Sequence, residues 1–290
     1  MNTIKRICAA VAFGSLASIS IVAPTTAHAD ENYFGYVYGA ETLPAGGLEL
    51  YQWVTRRANK GQGHYTAYDF ETELEYGVTD RFQVSGYLMF ERYDIAGLQD
   101  RGFEDTQRDF VFSGAKASMK YNFLSPYKDP FGFAVYFEPG FKRYEKVPGT
   151  KVNEQFVEFK AIAQKNFLND QLVTAYNATL EFARRQDRGV ADAEVGSEVE
   201  WEQTLGASYR VASNWFAGIE GRMHSEWPEG RKEHQAYFLG PNVHYGGKRW
   251  WFTLTWLPQI SGKPRDDRSD RLHFSEHEKA EWRLKVGYHF

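Results

Sequence analysis

The sequence has almost no cysteine. Its 290 residues hold one, Cys8, inside an amino-terminal stretch that reads as a cleaved leader. The chain beyond it has no thiol, which excludes disulfides, thiolate metal sites and cysteine nucleophiles. After residue 29 there is also no run of roughly 20 apolar residues, so the chain does not read as a helical membrane protein. An excess of positive charge is missing too. The 34 Lys and Arg stand against 38 Asp and Glu, which is no footprint for a nucleic-acid partner. What the chain has in plenty is aromatic residues, 17% of the total, although its mean hydropathy is below zero. Many rings without a long apolar run point to strands that are apolar on one face only.

Residues 1–29 read as a secretory signal peptide. Lys5 and Arg6 form its positive start, residues 7–23 its apolar stretch, and Ala27-His28-Ala29 the small-x-small cleavage pattern. Cleavage there removes only Lys5 and Arg6 from the charge count, leaving 32 basic and 38 acidic residues and a net charge of −6. Residues 30–46, with the aromatic stretch Tyr33-Phe34-Gly35-Tyr36-Val37-Tyr38, are either a periplasmic lead or a plug for the lumen of a barrel.

From Gly47 onward the sequence divides into twelve segments of alternating apolar and polar residues, separated by turn residues. The plainest puts Tyr68, Phe70, Thr72, Leu74 and Tyr76 on one face and Asp69, Glu71, Glu73 and Glu75 on the other, because successive side chains of a strand point to opposite faces. The first segment, 48–57, is ambiguous, since Leu50-Tyr51 and Trp53-Val54 put apolar groups on both sides. The last alternates Trp282, Leu284, Val286, Tyr288 and Phe290 with Arg283, Lys285, Gly287 and His289, and ends on an aromatic residue.

Connections after even-numbered segments are short and those after odd-numbered ones mostly longer, with 94–109 and 262–277 the longest and only the first, 58–63, short for its class. That parity belongs to a barrel whose two chain ends lie on one side, with short turns there and long loops opposite. Aromatic residues gather near both sets of strand ends, as interfacial girdles do. Tyr76, Phe82, Phe123, Trp215, Tyr245 and Trp250 mark the short-turn side; Phe110, Tyr144, Trp227 and Phe274 mark the other. Pro139 and Pro241 fall inside strands, each beside a glycine, and are expected to sit at β-bulges. The predicted fold is all-β, a single antiparallel transmembrane β-barrel of twelve strands over residues 47–290, after a cleaved signal peptide.

Signal, alternation and aromatic ending together resemble Gram-negative outer-membrane β-barrels. More narrowly, four stretches are similar to a family of proteobacterial outer-membrane proteins with no assigned activity. They are Glu41-Thr42-Leu43-Pro44-Ala45-Gly46, Leu124-Ser125-Pro126-Tyr127-Lys128-Asp129-Pro130, Leu239-Gly240-Pro241 and His244-Tyr245-Gly246-Gly247-Lys248-Arg249-Trp250-Trp251. The resemblance implies an integral protein of the outer membrane that arrives through the periplasm, with lipid and the barrel assembly machinery as partners. Trp282, Tyr288 and Phe290 look like the assembly signal. The family supplies no catalytic residue.

A charge facing lipid at the bilayer midplane costs roughly 2–4 kcal/mol, so the charged faces must line the lumen. The candidate lumen-lining residues are Asp69, Glu71, Glu73, Glu75, Lys116, Lys120, Glu200, Arg222, Arg283 and Lys285. The four acids of one strand repel one another at about 7 Å spacing and need cations. Lys116 and Lys120 on one side and Arg283 and Lys285 on the other are the expected partners, unless metal ions or a cationic solute serve. Glu198, Glu200, Glu202, Glu220, Arg222 and His224 make a second lumenal group, beside which Gly206, Gly218 and Gly240 leave the wall bare for a solute or a docked segment.

Twelve strands lie between the self-filled eight-stranded barrel and the open sixteen-stranded one. The first functional reading is therefore a monomeric, passive, porin-like or solute-binding barrel for a small hydrophilic solute. The second is a closed structural or surface-interaction barrel acting through 94–109 and 262–277. No enzyme is read. His273-Phe274-Ser275 has the spacing of outer-membrane phospholipases, but at a loop end with no Asn on the next strand, and His224 with Glu226 is the nearest match to a protease rim. His273 and His277 stand four apart on a loop-to-strand segment and not on a helix, so no metal or other cofactor is read either.

Overall fold

The computed structural model describes residues 32–231, 234–264 and 271–290. The signal peptide lies outside the described residues. Twelve strands run in order: β1 (Leu48–Ala58), β2 (His64–Thr79), β3 (Phe82–Ala96), β4 (Thr106–Leu124), β5 (Gly132–Tyr144) and β6 (Lys151–Phe167). Then come β7 (Leu172–Asp187), β8 (Val195–Ala212), β9 (Trp215–Pro228), β10 (His234–Gly246), β11 (Trp250–Lys263) and β12 (Ala280–His289). Each pairs antiparallel with the next, and β12 pairs with β1, Leu50 opposite Tyr288 and Val54 opposite Leu284. The sheet is thus a closed barrel. Closure leaves no edge strand, so every strand finds a backbone partner on both sides, which is the condition for a sheet to cross lipid.

Burial runs opposite to that of a water-soluble protein. On β2, Leu74 and Tyr76 are 49% and 45% exposed, while Glu73 and Glu75 are each 3% exposed. Apolar side chains outside and carboxylates inside is what a lipid-facing wall around a polar lumen requires. On β1 the ambiguity resolves with Tyr51, Trp53, Thr55 and Arg57 pointing in. Tyr51 and Trp53 pack inside with Trp251, so the lumen is partly aromatic and β1 carries apolar groups on both faces.

Short turns at 80–81, 168–171, 213–214 and 247–249, with the longer connection 125–131, lie at one end, and 97–105 and 271–279 at the other. Tyr76, Phe123, Trp215 and Trp250 are exposed near the short turns and Phe110 near the long loops. Two girdle residues depart from expectation. Tyr144 packs inward against the cluster of Tyr65, Tyr93 and Phe103. Phe274 is buried in its loop, with the Arg101 guanidinium 5.6 Å from its ring centre.

Neither proline sits at a bulge. β5 keeps one register with β6 through Pro139, opposite Val157, and pairs Lys116 with Gly140 and Met119 with Phe137 on the β4 side without a shift. β10 runs in register with β9 through Pro241, opposite Ile219, and its irregularity against β11 falls at Tyr237/Phe238. A strand residue offers its N–H to one neighbour only, so each proline interrupts the ladder on one side and leaves the other intact. Beside Pro241, a Cβ on Gly240 would press into the Trp256 carbonyl, so this glycine serves the close approach of β11.

One buried cluster, Tyr65, Ala67, Tyr93, Ile95, Leu98 and Phe103, lies at the long-loop end, and others form around the residues before β1. Tyr33, Phe34 and Val37 pack with Val173, Ala175 and Phe216; Tyr36 packs with Phe238 and Leu257; Ala40 packs with Ala134, Tyr136 and Ile162. Residues before β1 are therefore interior.

Candidate functional site: a charged vestibule above an internal segment

An extended segment inside a barrel has no ladder partner, yet its buried N–H groups must be paired. Lumenal side chains supply the acceptors. Gly35 and Tyr36 donate their backbone N–H groups to the two oxygens of Glu220 at 2.8 and 2.7 Å. Tyr38 donates to Asn177 Oδ1 at 2.7 Å, Ala40 to Gln164 Oε1 at 2.8 Å and Leu43 to Gln83 Oε1 at 2.9 Å. Both ends of the segment lie at the short-turn side. The Thr253 hydroxyl donates to the Asn32 carbonyl at 2.5 Å, and Gly46 N–H donates to the Gly77 carbonyl at 2.7 Å. Between them the chain arches inward. Its Tyr36 hydroxyl donates to Glu281 at 2.7 Å, under the Arg283 guanidinium 3.9 Å above the ring. The Phe34 ring lies where a Cβ on Gly206 would stand. Of the three bare positions, this one receives the segment.

Beyond the arch the lumen widens into a vestibule of about 380 Å³, with Tyr36 and Tyr38 at its floor and the loop residues Glu145, Lys146 and Glu276 at its mouth. It opens toward the long loops. Fifteen Asp and Glu side chains line it against seven Lys and Arg, so its field favours cations. Much of the charge is tied in pairs. Lys116 Nζ lies 2.9 Å from Glu71 and 3.2 Å from Glu138, and Lys142 Nζ lies 3.0 Å from Glu154 and 3.3 Å from Glu181. Arg222 bridges Glu202 at 2.5 Å and Glu281 at 2.9 Å. Arg57, almost wholly buried, holds Asp69 at 2.8 Å and Glu278 at 3.1 Å.

The ten lumenal candidates divide by height. Asp69, Glu71, Lys116, Glu200, Arg222 and Arg283 line the vestibule. Glu73, Glu75, Lys120 and Lys285 are buried away from it. Glu73 accepts from Trp53 Nε1 at 3.1 Å. The expected cross-lumen pairing of the acidic ladder holds for Lys116 with Glu71. It gives way on the other side. Arg283 bonds the Thr55 hydroxyl at 2.9 Å and the Gly35 carbonyl at 3.3 Å, and Lys285 Nζ sits 3.9 Å over the Trp53 ring. The intervening β1 side chains and the internal segment take both cations before they reach the acids of β2. Of the predicted assembly residues, Trp282 and Phe290 face outward at 41% and 73% exposure, and Tyr288 packs on Trp250.

Several functional groups escaped the sequence reading. Arg57 was hidden by the ambiguous face of β1, and Glu278 lies in a loop. Glu220 stood on a recognised charged face, but its partners are 184 and 185 residues earlier in the chain. Lys60, in the loop 59–63, is buried and donates to the carbonyls of Phe274, Ser275 and His277 at 3.1–3.3 Å. Burial lowers its pKa to about 8, with Arg57 and Arg101 adding to the shift and Glu278 and Glu276 opposing it. His224, His234 and His277 come from three separate stretches and meet at the vestibule mouth.

Residues 26–290 match the model of a family of unknown function (DUF6662). No curated protein sequence matches the chain. Among solved structures, the fold is similar to that of an outer membrane channel from Pseudomonas putida F1, with TM-score 0.63 and 14% identity over 87% of this chain and 98% of that one. It is also similar to the β domain of the Bordetella autotransporter BrkA, with TM-score 0.55 and 12% identity over 85% and 100% of the two chains. The translocator domain of the autotransporter NalP from Neisseria meningitidis gives TM-score 0.50 and 12% identity over 85% and 89%. The barrel thus resembles those of Gram-negative outer-membrane proteins.

Proposed function

We propose that this chain, which belongs to the DUF6662 family of unknown function, is an outer-membrane barrel that takes small cationic solutes from outside into its vestibule. It does so without catalysis, and passes them only when residues 32–46 leave the lumen. The observation that carries this reading is the excess of fifteen acidic over seven basic side chains in a cavity open at the long-loop end. Long loops face outward in barrels of this kind. A net acidic wall raises the local concentration of cations. The floor of the cavity is a segment held by side-chain hydrogen bonds worth about 0.5–1.5 kcal/mol each, not by a ladder, so it can withdraw without opening the sheet. One barrel of similar fold is an outer membrane channel.

A closed, structural barrel is the second reading. The aromatic packing of Tyr33, Phe34 and Phe216 around the same segment favours it. Conductance in a planar bilayer separates the two. The full chain should pass little current, and a chain lacking 32–43 should give larger, cation-selective steps. A shortened barrel that folds and inserts but stays silent, where a known porin conducts, leaves only the closed barrel.

A further inference from the structure

His224 on β9, His234 on β10 and His277 in the loop before β12 converge at the mouth of the vestibule. One ring nitrogen of each lies within 4.8 Å of the others, and all three residues are buried. His277 Nε2 is 3.1 Å from His234 Nδ1. Around a tetrahedral ion with metal–nitrogen bonds of about 2.0–2.1 Å, neighbouring donors stand roughly 3.3 Å apart. The pair therefore already has the spacing of two ligands.

The opposite edges of two rings are held by carboxylates. His224 Nε2 lies 2.8 Å from Glu200 Oε2, and His234 Nε2 lies 2.8 Å from Glu226 Oε2. A carboxylate behind each imidazole fixes its orientation and raises the basicity of its other nitrogen, as is usual for metal-bound histidine. In both rings that other nitrogen is Nδ1. Glu226 stands on the near side as well, its Oε1 3.6 Å from His224 Nδ1. A fourth imidazole, His273, stacks on His234 with centroids 5.2 Å apart and walls the site.

We propose that His224, His234 and His277 bind one transition-metal ion of the zinc class, with Glu226 or water in the fourth position. Three imidazoles select zinc, copper or nickel over calcium and magnesium, which prefer oxygen donors. The acidic vestibule would concentrate such an ion from the outside, and the bound ion would tie the loop to β9 and β10. This inference does not depend on whether the barrel conducts.

The test uses the full chain folded in detergent, titrated with Zn2+ against a chromophoric chelator and separately with Co2+. One saturable ion per chain is expected, with visible Co2+ bands of tetrahedral nitrogen coordination and no displacement by excess Mg2+ or Ca2+. His234→Ala and His277→Ala should each weaken Zn2+ binding by at least about tenfold, and Glu226→Gln by about tenfold to a hundredfold. His289→Ala, at the other end of the barrel, should leave it unchanged. His277 lies outside the strands, so its variant should retain the barrel, which its gel mobility before and after heating verifies. A wild-type titration without a saturable site overturns the proposal. So does binding that survives both histidine substitutions in folded protein.

Discussion

At the scale of single residues, Glu220 does the most for the interior. One carboxylate accepts from Gly35 N, Tyr36 N, Asn242 Nδ2 and Thr255 Oγ1, all at 2.7–2.8 Å. Replacing it leaves several buried donors without an acceptor, at about 1–3 kcal/mol for each unsatisfied group. Glu220→Ala should therefore keep the barrel but loosen the arch. Chymotrypsin cleavage near Tyr33 to Tyr38 should appear in the variant and be slow in the wild type; equal protection in both would count against the role. Lys60 gives a pH effect with a definite sign. Its folded pKa, about 8, is below its ordinary value, so the folded state disfavours the charged amine. That penalty is fully present below pH 8 and is relieved as pH rises toward the unfolded value near 10.4. The melting temperature of the wild type minus that of Lys60→Met should rise between pH 8 and pH 10. A flat difference would mean that the amine titrates normally. None of these contacts was legible in the sequence. Glu220 meets Gly35 across 185 positions and Lys60 meets Phe274 across 214, and no local pattern encodes such distances.

At the scale of elements, legibility followed the contrast between the two faces. β2 alternates rings with carboxylates, and its inward set was plain. β1 carries Tyr51 and Trp53 toward the lumen, because the internal segment gives inward rings something apolar to pack on. Its alternation was therefore blurred by a partner that local patterning does not show. The prolines misled for a related reason: the sequence shows the missing donor, but not which neighbour loses the bond. β12 is the element whose two faces do different work. Outward, Trp282 stacks on Trp256 with centroids 5.6 Å apart. Inward, Arg283 covers Tyr36 and bonds Gly35. Deleting Phe290 should lower the amount of folded protein in the outer membrane, measured by heat-modifiable mobility. Arg283→Ala should assemble at normal yield and instead loosen the arch in the same protease assay. Identical defects from both changes would mean that β12 has no such division.

At the scale of the whole molecule, strand number and closure were legible because alternation repeats over twelve segments and most of the connections between them keep the short-then-long order. Height within the lumen was not, because it depends on where residues 32–46 come to rest. The acidic ladder shows the consequence. Glu71 lines the vestibule while Glu73, one inward step away, is sealed beside Trp53. One strand thus presents the same side chain to two environments. In a barrel lacking 32–43, Glu71→Gln should lower the cation preference read as a reversal potential across a KCl gradient. Lys116 retains Glu138 at 3.2 Å in that variant, so the fold should survive. The preference should also shrink between 0.1 and 1 M salt, as the screening length falls from about 10 to about 3 Å. Glu73→Leu in the full chain should instead act on stability, since it removes the acceptor of the Trp53 indole inside the filled half. The melting temperature in detergent should drop, and any residual current should keep its selectivity. If Glu73→Leu shifted the reversal potential as much as Glu71→Gln, the ladder would be one continuous filter and the division into vestibule and filled half would not hold.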